Sequence, residues 1–133
     1  SLASGLSQSN FYSAQLHGMV AYHDFEGITI RADEGPRVVQ SIGNRKAVIL
    51  RNHGLLSWGQ TLPLAFAVLW TLQRACEIQL ATQSMGAPLP VPEAIAAQCT
   101  RDSFQFDPAR GAGQDVFDAL VRQVDRIDPS YKN

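Results

Sequence analysis

The segment from Leu62 to Met85 constrains the fold more than any other part of this 133-residue chain. Several of its apolar residues recur at steps of three and four, the spacing of one face of an α-helix. They are Ala65, Leu69, Leu72, Cys76 and Leu80. The first half is apolar nearly all round, so we expect this helix to be packed on most sides, over a sheet and against a second subunit or domain. Thr61 is expected to cap its start.

The clearest predicted strand is Ala47–Leu50, which is continuously apolar and half β-branched. Such a run is typical of a strand covered on both faces. Further strands are predicted over Met19–Tyr22 and Leu55–Trp58, with a short extended piece at Ile28 and Ile30.

Four more helices are predicted, over Asn10–Leu16, Glu34–Ile42, Glu93–Gln98 and Gln114–Ile127. The last one is amphipathic, and its apolar side is expected to face inward. That side carries Val116, Phe117, Leu120, Val121, Val124 and Ile127. Strands mixed with long helices predict an α/β or α+β layered domain.

The composition excludes several classes of protein. Eleven Lys and Arg against twelve Asp and Glu leave a net charge of −1, so we expect no nucleic-acid partner. The longest apolar run, Leu64–Trp70, is far shorter than the ~20 residues that span a bilayer, so no membrane insertion is expected. Cys76 and Cys99 are interpreted as buried, reduced thiols, which favours a cytoplasmic setting. The low charged fraction of 17% indicates a buried central element, an oligomer interface or a missing partner segment.

Among ionisable residues, the histidines are the candidates for chemistry. His17 stands at a predicted helix end, in a capping or exposed role. His23 and Glu26 could share a metal, but in a loop they are expected to bond to backbone. His53 directly follows a buried strand and precedes Gly54, so its imidazole is expected at the strand's end, where functional groups collect. A structural role stays equally open, because one imidazole does not make a metal site.

A family resemblance rests on the run Arg51-Asn52-His53-Gly54-Leu55-Leu56, followed by Thr61, Ala65-Phe66 and residues 74–79. Residues 20–28 and 117–122 support it. Together these segments make the chain similar to the class II aldolase/adducin family. The resemblance implies a three-layer α/β/α domain with a mainly antiparallel central sheet, assembled as a homotetramer.

The resemblance also implies a divalent metal, most often zinc, held by three histidines. The family's strand-end His-Gly motif falls on His53, which is therefore the one metal ligand assigned here. The other two ligands form a His-x-His pair on an earlier segment, and a glutamate there transfers protons. The metal stabilises an enediolate as a carbon–carbon bond breaks.

Residues 1–133 contain no His-x-His pair, which the family places before the segment matching Leu6. We therefore expect a single domain whose N-terminal part is missing, inactive as it stands. The complete protein is expected to be an aldolase-type lyase acting on a small hydroxylated or phosphorylated carbonyl compound. The alternative is a non-catalytic, adducin-like assembly module, which residues 20–24 and 75–79 favour at least as much. No tyrosine is assigned as a proton donor, and no catalytic residue is named.

Overall fold

The computed structural model describes residues 2–28, 30, 32–103 and 111–132. Nine elements follow one another along the chain, and each predicted helix is present within a few residues of its expected bounds. They are α1 (Phe11–Gln15), β1 (Val20–His23), α2 (Glu34–Ile42), β2 (Ala47–Leu50), β3 (Gly54–Ser57), α3 (Leu62–Gln83), α4 (Glu93–Asp102), α5 (Gln114–Ile127) and a 3₁₀ turn (Pro129–Lys132).

The described sheet has three strands in the order β1-β2-β3. Strand β1 runs parallel to β2 with Ala21 opposite Val48, and β2 runs antiparallel to β3 with Val48 opposite Leu56. The crossover through α2 allows the parallel pair, whereas the short turn after β2 imposes the antiparallel one. The α/β class is thus confirmed, while these three strands form a mixed sheet rather than the mainly antiparallel one expected.

Apolar cores lie on both faces of the sheet. On one face, α1 and α3 pack on β2 through Leu16, Val68 and Leu72 around Ala47. On the other face, Ile42 of α2 packs against Ala21 and Val48. Strand β2 is therefore covered on both sides, as its unbroken apolar run predicted.

The buried face of α3 differs from the predicted stripe. Its buried residues are Val68, Thr71, Leu72, Ala75 and Gln79. Of the five stripe residues only Leu72 belongs to this set, and Leu80 is 65% exposed. The cause is that two buried positions hold polar residues with hydrogen-bond partners inside the protein, which hydropathy alone does not place inside. The predicted cap is confirmed, because Thr61 Oγ1 accepts the Leu64 N–H at 3.3 Å.

Helix α5 has the predicted bounds, but its apolar side faces inward only in part, at the half-buried Phe117 and Val121. It contacts α3 edge-to-face through Phe66 and Phe117, whose ring centres are 5.7 Å apart. No residue of α5 is buried by the part of the chain that the structure describes. Val116, Leu120, Val124 and Ile127 are all exposed. An amphipathic pattern identifies an apolar face and says nothing about whether another element covers it.

Smaller differences concern the loops and the cysteines. Ile28 and Ile30 form no strand, because the chain turns after Gly27 (φ +101°) and the Ile30 N–H bonds to the Ile28 carbonyl. Cys76 and Cys99 are free thiols as expected, but half-buried rather than buried. No helix in the described ranges is both long and apolar enough to cross a membrane.

Candidate functional site

His53 lies in the turn that joins β2 to β3. The turn depends on Asn52, which takes a left-handed conformation (φ +56°) that asparagine tolerates better than most residues. The His53 N–H then donates to the Leu50 carbonyl at 3.0 Å. The imidazole is consequently exposed at the carboxyl end of β2, the position that the sequence predicted.

The His53 imidazole borders two clefts. The first, of about 340 Å³, lies between the N-terminal residues, the end of β2 and the side of α3. The second, of about 250 Å³, lies between the turn and the start of α2, and His23 and Glu26 also line it. Phe25 contacts the His53 ring edge-on, with 6.5 Å between ring centres. No hydrogen bond joins the His53 ring to another described residue, so its nitrogens are available to a ligand.

Residues 2–9, which we call the strap, form one wall of the first cleft. Arg51 Nη1 donates to the Leu2 carbonyl at 2.9 Å, and the Leu6 N–H donates to Tyr22 Oη at 2.8 Å. Gly5 has a φ of +72°, and a side chain there would lie 2.5 Å from Tyr22 Oη. The strap therefore follows a defined path against β1 and the turn.

His23 lies apart from any complete ligand set. The side chain is 8% exposed, and its Nδ1 is 2.9 Å from Ser41 Oγ, a side-chain partner rather than the backbone partner predicted. Its Nε2 is 3.6 Å from Glu26 Oε1. Both carboxylate oxygens of Glu26 accept hydrogen bonds from Arg37 Nε at 2.9 Å. The guanidinium thereby neutralises the negative charge that would attract a metal cation. This geometry does not favour the metal shared by His23 and Glu26.

His17 lies half-buried in the turn after α1. Its carbonyl accepts a hydrogen bond from Thr100 Oγ1 of α4 at 3.3 Å. The residue therefore takes part in the contact between α1 and α4 through its backbone, away from the clefts beside His53.

The pair of Glu26 and Arg37 gives a pH prediction. The hydrogen bonds from Arg37 hold the pKa of Glu26 below its ordinary value. Because this pKa is lowered on folding, the pair's stabilisation is present above the unfolded-state pKa and is lost as the pH falls through the folded-state pKa. Arg37→Met is expected to raise the pKa of Glu26 to its ordinary range, measured by NMR titration of the carboxyl carbon. Arg126→Met, which removes a charge from α5, should leave that titration unchanged; an equal response of both variants would contradict the assignment.

The sequence did not identify the residues that hold the strap. Tyr22, Arg51 and Gln79 bond to it, and none of them was singled out for this role. One signal was available, because Gln79 follows Leu72 by seven residues and Ala75 by four. That spacing puts a polar side chain on a buried helical face, where it needs a partner.

The described residues supply only one of the metal ligands that the family resemblance implies, namely His53. Among them no group of three His, Cys, Asp or Glu side chains lies close enough to hold a metal ion. His53 fits the chemistry of a single ligand, since it is an exposed imidazole with unengaged nitrogens in a cleft.

Comparison with known proteins gives the family. The profile of the Class II Aldolase and Adducin N-terminal domain matches residues 1–80. A Pseudomonas aeruginosa protein named with the class 2 aldolases is 36% identical over 117 residues, which cover 85% of this chain and 45% of that protein. Alpha-adducin of Rattus norvegicus is 34% identical over 122 residues, which cover 83% of this chain and 17% of that protein.

Two solved structures are also similar. An aldolase II superfamily protein from Pseudomonas syringae matches with a TM-score of 0.85 at 31% identity, covering 100% of this chain and 53% of that one. L-fuculose 1-phosphate aldolase from Glaciozyma antarctica matches with a TM-score of 0.63 at 28% identity, covering 82% of this chain and 38% of that one. The chain spans about half the length, or less, of these relatives. With its profile match over residues 1–80, it belongs to the class II aldolase and adducin family.

Proposed function

We propose that the complete protein is a metal-dependent, aldolase-type lyase acting on a small hydroxylated or phosphorylated carbonyl compound. One observation carries this proposal: the unengaged imidazole of His53 at the end of β2, between two clefts. The name of the L-fuculose 1-phosphate aldolase supports the reaction class for a structure of similar fold. Family membership supports the use of a divalent metal, most often zinc.

In this proposal His53 is one of three imidazole ligands. The remaining His-x-His pair and the proton-transferring glutamate are proposed to lie in a part of the complete protein outside residues 1–133. The metal would act as a Lewis acid toward the negative charge that develops on substrate oxygens. The chain's own contribution is to hold the imidazole at a rigid strand end and to shape the clefts on either side. The complete domain is proposed to have three α/β/α layers and to assemble as a homotetramer in the cytoplasm.

The test is the zinc content of the full-length protein, measured by mass spectrometry of the metal per polypeptide chain. His53→Ala is expected to reduce the zinc to the level of a chelator-treated sample, because two imidazoles hold the ion far less tightly than three. His17→Ala, which removes an imidazole away from the clefts, is expected to retain the parent content. Equal zinc in the parent and in His53→Ala would overturn the proposal.

A non-catalytic assembly module is the second candidate. The four exposed apolar residues of α5 favour it, since uncovered apolar faces mark interaction sites. The similarity to alpha-adducin gives it further support. A full-length protein that sediments as an oligomer and contains no zinc, with or without His53, would favour this candidate over the lyase.

A further inference from the structure

Gln79 has a feature that the proposed metal site does not use. Its side chain is 9% exposed, near the C-terminal end of α3, and three hydrogen bonds join its amide to the strap. Oε1 accepts the Ser7 N–H at 2.7 Å and the Ser7 hydroxyl at 3.2 Å, and Nε2 donates to the Gly5 carbonyl at 3.0 Å. The amide orientation is fixed, because an N–H needs an acceptor and a carbonyl needs a donor.

This arrangement makes the Gln79 amide a substitute for a neighbouring peptide group. It satisfies one backbone carbonyl and one backbone N–H two residues apart, as a paired strand would. Breaking it would leave part-buried polar groups of the strap without these partners. The strap therefore depends on a side chain that also lines the first cleft, together with His53.

We infer that Gln79 is a positioning residue, which sets the strap as the wall facing His53. The strap is held beside this cleft at residues 2, 5, 6 and 7. The consequence for the metal rests on the proposed function: ligands that precede the strap would reach His53 only when the strap is seated.

The test uses the full-length protein and the variant Gln79→Met, which keeps the length of the side chain and removes its hydrogen bonds. Amide exchange at Ser7 is expected to accelerate about tenfold or more, while the amides of β2 keep the parent rate. The imidazole resonances of His53 should shift in NMR spectra. Zinc affinity, measured by chelator competition, is expected to fall ~10–100-fold, the range for partners that orient ligands.

Two further variants keep the result interpretable. Gln73→Met removes an exposed amide from the same helix, one that donates to Glu77 Oε1 at 2.8 Å, and should change none of the readouts. Gly5→Ala loosens the strap from the side of Tyr22 and should reproduce the effects of Gln79→Met without altering α3.

The outcomes separate this inference from the proposed function. Parent exchange at Ser7 in Gln79→Met, acceleration that extends equally into β2, or unchanged His53 resonances would each overturn the positioning role. If the parent binds no zinc, the lyase proposal fails, while the exchange rates and the resonances of His53 still decide the role of Gln79.

Discussion

Replacing Leu72 with Ala is expected to lower the free energy of unfolding by about 2–5 kcal/mol. Leu72 is 0% exposed and belongs to the core cluster formed with Leu16, Ala47 and Val68. Truncation removes buried methyl groups and leaves a cavity that helices on one face of a small sheet close only in part. Urea denaturation followed by circular dichroism measures the loss.

The matched control is Leu80→Ala, two turns further along the same helix. Leu80 is 65% exposed, so its truncation should cost less than about 1 kcal/mol. The two substitutions also discriminate between two possible buried faces of α3, since the stripe predicted from the sequence places both residues inside. Equal destabilisation by the two substitutions would show that the stripe, rather than the structure, has the correct buried face.

Gly113→Ala, at the start of α5, is expected to lower the free energy of unfolding by a comparable amount, about 2–4 kcal/mol. Gly113 has a φ of +78°, a conformation that costs an alanine energy. The added Cβ would lie 2.7 Å from the Pro63 carbonyl oxygen and 2.7 Å from Ala67 Cβ of α3. Helix α5 must move away from α3 to admit it, which weakens the contact between Phe66 and Phe117.

Gly54→Ala provides the opposite result under the same chemistry. Gly54 begins β3 with a negative φ, and a Cβ there meets no atom within 4 Å beyond its chain neighbours. Alanine should therefore stabilise the protein by roughly 0.4–1 kcal/mol, through a smaller loss of chain entropy. Destabilisation at both positions would mean that the crowding at Gly113 is not the cause of its effect.

The elements were predictable because local signals agree with the fold. Glu34–Ile42, Ala47–Leu50 and Gln114–Ile127 have the bounds that periodicity predicts, and Thr61 caps α3 as expected. The position of His53 could also be predicted, because a polar residue directly after a buried strand must emerge at the edge of the sheet.

Burial and long-range contacts could not be predicted in the same way. The exposure of Val124 depends on whether any element covers α5, which the helix itself does not encode. The role of Gln79 depends on Gly5 and Ser7, more than seventy residues away in the sequence. The parallel pairing of β1 with β2 likewise follows from where α2 packs, rather than from the strands' own composition.

The distance between the strap and its anchor affects the order of folding. Gly5 is synthesised 74 residues before the amide that holds it, so this part of the nascent chain emerges long before its partner exists. Contacts of such sequence separation form late, since closing the intervening loop costs entropy first. The strand pairs and α2 can assemble during translation, whereas seating of the strap must wait until α3 has left the ribosome. The strap itself would remain accessible to chaperones during that interval.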